Sequence, residues 1–197
     1  MAKDASYRVK YRRRREGRTD YRARRFLTTS GRSRLVVRST LKSLYVQLVL
    51  PGVEGDQVLV SSSSRELGKD FGWKGGPNNV PAAYLLGLMA GYRARAEGLD
   101  SSMLDMDLKT PTKGARVFAV VKGAVDSGFD VTHSEEVLPT DERIRGEHIA
   151  DYGRLLLADV SAYKSRFSKY LARGLKPEDL PDHFDDTKAR IVEAGNR

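Results

Sequence analysis

The stretch that decides the fold reads RLVVRSTLKSLYVQLVLPGVEGDQVLVS over residues 34–61. It contains three runs that are rich in Val and Leu, and turn residues that include proline and glycine separate them. In the second run, Leu44, Val46, Leu48 and Leu50 recur at the period of two that is typical of a half-buried strand. Because the connections are short, the pattern predicts a three-strand antiparallel meander.

The segment after the meander predicts a loop, two helices and further strands. A glycine-rich loop is expected over 64–78, and Asn78 or Asn79 can cap a helix that runs to about Glu97. Gly87 and Gly91 in this helix predict a close approach of its backbone to the sheet. The remaining elements are a strand over 103–108, a helix over 115–127 and a short strand over 129–131.

Together these elements predict an α/β protein whose sheet begins with the meander and carries helices packed on it. We expect a basic extended arm with a short helix over residues 1–33, an α/β core over 34–133 and a helical C-terminal extension over 134–197. In the extension, periodic apolar residues predict a helix over 144–172 and a last short helix over 185–194.

The charge of the chain is distributed unevenly. The formal net charge is +9 on 197 residues. Residues 1–50 hold 15 basic and three acidic side chains, a net of +12, and the rest of the chain carries a net of −3. Such an asymmetry indicates that one part of the molecule meets a polyanionic partner.

Composition excludes several classes of site. The chain has no cysteine, which rules out disulfides, thiolate nucleophiles and Cys-ligated metal centres. Its three histidines are far apart in sequence, so we expect no metal site. No apolar run approaches the ~20 residues of a membrane span, and the N-terminus shows no secretory signal. A soluble cytosolic protein without a membrane partner is therefore expected.

The arm carries the strongest functional signal. The run Tyr11–Arg15 cannot bury a core and repels itself, so alone it should be extended or disordered. Arginines alternate with tyrosines along the arm; guanidinium groups bind phosphate oxygens bidentately, and aromatic rings stack on unpaired bases. This combination favours a nucleic acid as the partner.

A short helix is expected from about Thr19 to Thr29, with Thr19 or Asp20 as its cap and a supporting ion pair between Asp20 and Arg24. The basic character continues into the meander, where Arg34 and other cations could share one face of the first hairpin.

Two other functions fit parts of the sequence. Asp105 and Asp107 are two residues apart on a predicted strand, which would place both carboxylates on one face, as in divalent-metal phosphoryl-transfer sites. This spacing leaves open a metal-dependent RNA-processing enzyme. An RNA chaperone or ribosome-assembly factor is a further alternative. The glycine-rich stretch 72–76 lacks the order of a phosphate-binding loop and is interpreted as structural.

A series of short motifs resembles the universal large-subunit ribosomal protein family that binds 5S rRNA, in its long archaeal and eukaryotic form. The motifs are YRVK at 7–10, RRRREGRTDY at 12–21, SRLV at 33–36, QLV at 47–49, GW at 72–73, PAAYLLGL at 81–88, LDM at 104–106, TPT at 110–112, VFA at 117–119, GAVD at 123–126 and RGEHIA at 145–150. Their order and spacing cover nearly the whole chain.

The resemblance implies a non-enzymatic constituent of the cytoplasmic ribosome, without a cofactor or a small-molecule substrate. It implies a mixed sheet and a place in the central protuberance, with 5S rRNA, 23S rRNA and neighbouring large-subunit proteins as partners. The candidate RNA-binding residues are Arg8, Lys10, Arg12, Arg13, Arg14, Arg15, Arg18, Tyr21, Arg24, Arg25, Arg32, Arg34, Arg38, Lys42, Ser62, Ser63, Thr110, Thr112 and Lys113.

Overall fold

The computed structural model describes residues 4–196, so the first three residues of the predicted arm and Arg197 lie outside the described residues. Its sheet has five strands in the order β3-β2-β1-β4-β5. The strands are β1 Arg34–Ser39, β2 Leu44–Pro51, β3 Asp56–Ser63, β4 Ser101–Asp105 and β5 Asp130–Val131. The first three form an antiparallel meander, whereas β4 is parallel to β1 and β5 is parallel to β4. The predicted α/β class and its mixed sheet are therefore confirmed.

Helices precede, connect and follow these strands. They are α1 Arg12–Arg15, α2 Tyr21–Thr29, α3 Ser64–Asp70, α4 Val80–Ala96, α5 Arg116–Asp126, α6 Asp141–Arg145, α7 Glu147–Leu156, α8 Val160–Arg166, α9 Ser168–Ala172 and α10 Leu180–Gly195. Short 3-10 turns occupy Glu135–Val137 and Pro177–Asp179. Within residues 4–196, no helix is both long and apolar enough to cross a membrane.

The hydrophobic core lies between one face of the sheet and α4. The side chains of Leu35, Val37, Val46 and Leu48 are fully buried on that face, because alternate residues of a strand point to the same side. Helix α4 contacts β2, β3, α5 and α10. It is therefore buried around most of its circumference and is apolar on all sides, rather than amphipathic.

The two glycines of α4 approach a helix and not the sheet, which corrects the prediction. A methyl group on Gly87 would overlap the backbone carbonyl of Val120 in α5, and one on Gly91 would overlap the Ser127 hydroxyl. Gly123 of α5 is as close to the carbonyl of Tyr84. The glycines thus allow the backbones of α4 and α5 to touch.

The predicted loop over 64–78 was partly wrong, because its first half is helix α3. Ser63 and Glu66 form a capping box at its start: the Ser63 backbone N–H donates to Glu66 Oε1 over 3.0 Å. The sequence Ser63-Ser64-Arg65-Glu66 contains the S-x-x-E signature of this cap.

The predicted long helix over 144–172 is interrupted. Gly146 adopts a left-handed conformation with φ of 88° and separates α6 from α7, and Asp159 caps the start of α8 with its carboxylate. The last helix, α10, begins at Leu180 and is longer than expected.

The C-terminal residues share the hydrophobic cluster of the core. Leu180, Phe184 and Ile191 of α10 are buried in it. The ring centroids of Phe184 and Tyr84 of α4 are 5.6 Å apart. The boundary between core and extension at residue 134 stays a prediction.

Candidate nucleic-acid interface

The arm presents its cations to solvent. From residue 4 to residue 32, no side chain of the arm is buried, and the four arginines of α1 are exposed. Arg12 and Arg18 contact the carboxylate of Glu16 at 4.0 and 3.3 Å. Arg14 and Arg15 make no ion pair in the described part of the chain, so their guanidinium groups are available to an external anion.

Local contacts join α1 to the start of α2. The rings of Tyr11 and Tyr21 lie 5.2 Å apart with an interplanar angle of 37°. Arg13 Nε donates a 2.8 Å hydrogen bond to the hydroxyl of Thr19. These contacts give the arm a turn of defined shape although it has no core of its own.

Helix α2 has the cap that the sequence predicts but not the predicted ion pair. The Asp20 carboxylate accepts from the backbone N–H groups of Arg22 and Ala23 at 2.8 and 3.2 Å. Arg24 pairs instead with Asp56 at the start of β3, at 2.9 Å. This pair places α2 against the face of the sheet that α4 and α5 leave uncovered, which we call the open face.

Below α2, the open face holds a buried arginine. The side chain of Arg34 on β1 is only 2% exposed. Its Nη1 donates to Asp105 of β4 over 2.8 Å, and its Nη2 lies 2.9 Å from Asp56. That second contact is electrostatic, because the N–H bonds of Nη2 do not point at the carboxylate, and Nε has no hydrogen-bond partner.

Asp56 thus lies between two guanidinium groups. Partial burial acts to raise its pKa, but the close contact and charge of the Arg34 guanidinium, together with the hydrogen bond and charge of Arg24, outweigh this and hold the pKa below its usual range. Arg24, Asp56, Arg34 and Asp105 therefore form one chain of charges that links the arm to the sheet.

Asp105 and Asp107 do not share one face of a strand, contrary to the prediction. Strand β4 ends at Asp105, and Asp107 has a left-handed backbone with φ of 57°. The Asp107 backbone N–H donates to Asp105 Oδ1 over 3.0 Å. Among the residues that the structure describes, no three His, Asp or Glu side chains come together in a way that could hold a metal ion.

A second basic cluster lies where β1 and β4 end. Lys109 donates to the Ser39 hydroxyl over 2.7 Å. Burial lowers the pKa of Lys109, the nearby charges of Arg116 and Arg38 lower it further, and only Asp107 acts in the opposite sense. Three cations therefore lie near one another at this end of the sheet, where the Arg116 guanidinium donates to Asn78 Oδ1 over 2.6 Å. Sequence reasoning missed Lys109 and Arg116, although Lys109 directly precedes the predicted Thr110–Lys113 turn.

The candidate residues differ in accessibility. The exposed ones are Arg8, Lys10, Arg12, Arg13, Arg14, Arg15, Arg18, Arg25, Arg32, Arg38, Lys42, Thr110, Thr112 and Lys113, and the partly buried ones are Tyr21, Arg24 and Ser63. Arg34 and Ser62 are buried. Ser62 accepts a hydrogen bond from Arg93 at 3.1 Å, and Ser63 caps α3. Lys113 pairs with Glu136 over 3.2 Å. The candidate cations without an ion pair among the described residues therefore lie in the arm and at the end of the sheet that holds Arg38 and Lys42.

Comparison with known proteins shows which family the chain resembles. The family model described as ribosomal large subunit proteins 60S L5 and 50S L18 matches residues 5–102 and 97–134. The large ribosomal subunit protein uL18 of Caldivirga maquilingensis is 51% identical over 194 residues, which cover 98% of this chain and 94% of that protein.

Proposed function

Because this chain belongs to the ribosomal large-subunit family of 60S L5 and 50S L18, we propose that it binds 5S rRNA and helps to hold it against 23S rRNA in the central protuberance. Its role is that of a structural constituent of the large subunit of the cytoplasmic ribosome, with ribosomal RNA and other ribosomal proteins as partners. It is not an enzyme, and Asp105 serves the structure as the partner of the buried Arg34.

The observation that carries the proposal is the exposure of the arm. Arg22, Arg25 and Phe26 point outward from α2, with 73% of Phe26 exposed. Guanidinium forks match phosphate oxygens, and both guanidinium and aromatic planes stack on unpaired bases. An arm that buries nothing by itself can fold onto RNA as it binds, which suits a large and irregular RNA surface.

The test is the salt dependence of binding to an isolated 5S rRNA transcript. The full chain should show a steep decrease in log affinity with log salt, because each phosphate contact releases counterions. Replacing three exposed cations (Arg14→Gln, Arg15→Gln and Arg25→Gln) should lower that slope by about 2 to 3, at roughly 0.7 to 0.9 per phosphate contact.

The matched control removes the same charge from exposed, unpaired cations of the extension: Lys164→Gln, Arg166→Gln and Lys176→Gln. It should leave the slope close to that of the native chain. Deletion of residues 1–33 should remove most of the slope. A truncated protein with full affinity and full salt dependence would refute the role of the arm.

A further inference from the structure

A basic groove lies at the end of the sheet opposite the arm, and we propose that it is a second binding site for the phosphate backbone of 5S rRNA. The groove is lined by Lys42, Arg65, Gly68, Trp73, Gly75 and Arg173. These residues come from the β1–β2 turn, from α3, from the loop over residues 71–79 and from the turn after α9. The proposal rests on the proposed function and adds a surface that does not include the arm.

The groove is positively charged without compensation. Lys42, Arg65 and Arg173 are exposed, and so is Lys74, which stands between the groove residues Trp73 and Gly75. In the described part of the chain none of the four takes part in an ion pair, and no carboxylate lines the groove. Three cations from three separate segments thus line the groove, with Lys74 next to two of its lining residues in the loop, and only an external anion can neutralise them.

The extension holds this groove in shape. Arg173 Nη1 donates to the Gly75 carbonyl over 2.6 Å, and the Tyr170 hydroxyl accepts from the Gly76 backbone N–H over 3.1 Å. His183 Nε2 accepts from the Lys74 N–H over 3.0 Å, and its ring stacks on Trp73 with centroids 5.2 Å apart. Because the loop is fixed before binding, the groove does not have to be ordered by its ligand.

One folded RNA can reach both surfaces. The arm meets the sheet at Asp56, where β3 begins, and Lys42 lies beyond the other end of the six-residue strand β1. At about 3.3 Å per residue, the two ends are about 20 Å apart. Lys109 and Thr110 lie at the same end as the groove. This spacing and charge assign the groove to a second stretch of 5S rRNA backbone.

The experiment compares three full-length variants for binding to the 5S rRNA transcript. The groove variant carries Lys42→Gln, Arg65→Gln and Lys74→Gln, and retains Arg173 because its guanidinium also holds the loop. We expect its salt slope to fall by about 2 to 3 and its affinity to fall tenfold or more. The charge-matched variant of Lys164, Arg166 and Lys176 should bind as the native chain does. Thermal unfolding checks that all three variants are folded.

The arm variant of Arg14, Arg15 and Arg25 separates the two hypotheses. Because arm and groove are distant, their effects should add when both sets are combined, and backbone footprinting should show that each variant loses protection of different nucleotides. If the groove variant binds like the matched control while the arm variant is impaired, the groove proposal is wrong and the proposed function stands. If the native chain binds 5S rRNA no better than an unrelated RNA of equal length, the proposed function fails as well.

Discussion

The arm and the sheet use the same ion-pair chemistry in opposite environments. In the arm, Glu16 contacts Arg12 and Arg18 at 4.0 and 3.3 Å, and both arginine side chains are more than two-thirds exposed. In the sheet, Arg34 is 2% exposed and lies 2.8 Å from Asp105. Water screens the first set, whereas the second depends on its partners to offset the cost of burying a charge.

A basic residue near the arm is therefore not necessarily a binding residue. Arg34 has the same side chain as the arginines of the arm, but its guanidinium is paired with Asp56 and Asp105. Arg14 and Arg15 have no such partners in the described structure. The unpaired arginines of the arm are therefore available to bind an anionic ligand, whereas the ion pairs of Arg34 stabilise the folded sheet.

Neutralising one carboxylate in the sheet should destabilise the protein far more than neutralising one in the arm. Asp105→Asn should lower the free energy of unfolding by about 3 kcal/mol, because it leaves Arg34 buried with only part of its charge compensated. Glu16→Gln should change it by about 0.5 kcal/mol or less. Urea denaturation of both variants measures the contrast, and equal small losses would show that Arg34 does not depend on Asp105.

A second contrast concerns glycines. Gly87→Ala should lower the free energy of unfolding by about 2 kcal/mol, because the new methyl group meets the Val120 carbonyl and the helices must separate. Gly17→Ala in the arm places a methyl group in open space, at a left-handed φ of 62°. It should strain only a local turn and leave the unfolding midpoint unchanged. A native-like midpoint for Gly87→Ala would show that α4 and α5 do not touch as tightly as described.

The sequence predicts the sheet well because the meander is a local pattern. Its strands are short apolar runs, its connections are short and the second one contains proline and glycine, so pairing neighbours along the chain is enough to build β1 to β3. The arm is only partly predictable: its composition excludes a core, but the run that was expected to be extended forms the one-turn helix α1 at Arg12–Arg15. The cap of α2 at Asp20 also follows from local chemistry, and the structure confirms it.

The missed features depend on contacts that are distant in sequence. Whether Arg24 pairs with Asp20 or with Asp56 depends on how α2 lies on the sheet, and no local rule decides that. Gly87 and Gly91 predict a close approach of the helix backbone, but the sequence does not show that the partner is α5 and not the sheet. Lys42 and Arg173 line the same groove. The sequence does not predict this proximity, because it depends on how the extension packs against the loop over residues 71–79.

A smaller effect, which depends on pH, is expected for the free energy of unfolding, because Asp56 links Arg24 of the arm to Arg34 of the sheet. The pKa of Asp56 lies below its usual range in the folded state because of Arg34 and Arg24. Its stabilisation is therefore fully present above the unfolded-state pKa of about 3.9 and is lost as the pH falls through the folded-state value. At neutral pH, Asp56→Asn should cost about 1 kcal/mol, because the carboxylate is partly exposed and screened.

The loss of unfolding free energy in Asp56→Asn should become smaller as the pH is lowered below about 5, because the native carboxylate then also becomes neutral. Urea denaturation of both proteins across this range measures it. Glu54→Gln, in the adjacent turn, is the matched control, because Glu54 makes no ion pair within residues 4–196; its small effect should not vary with pH. A pH-independent difference for Asp56→Asn would mean that the ionised carboxylate does not link α2 to Arg34, and that the arm and the sheet are energetically separate.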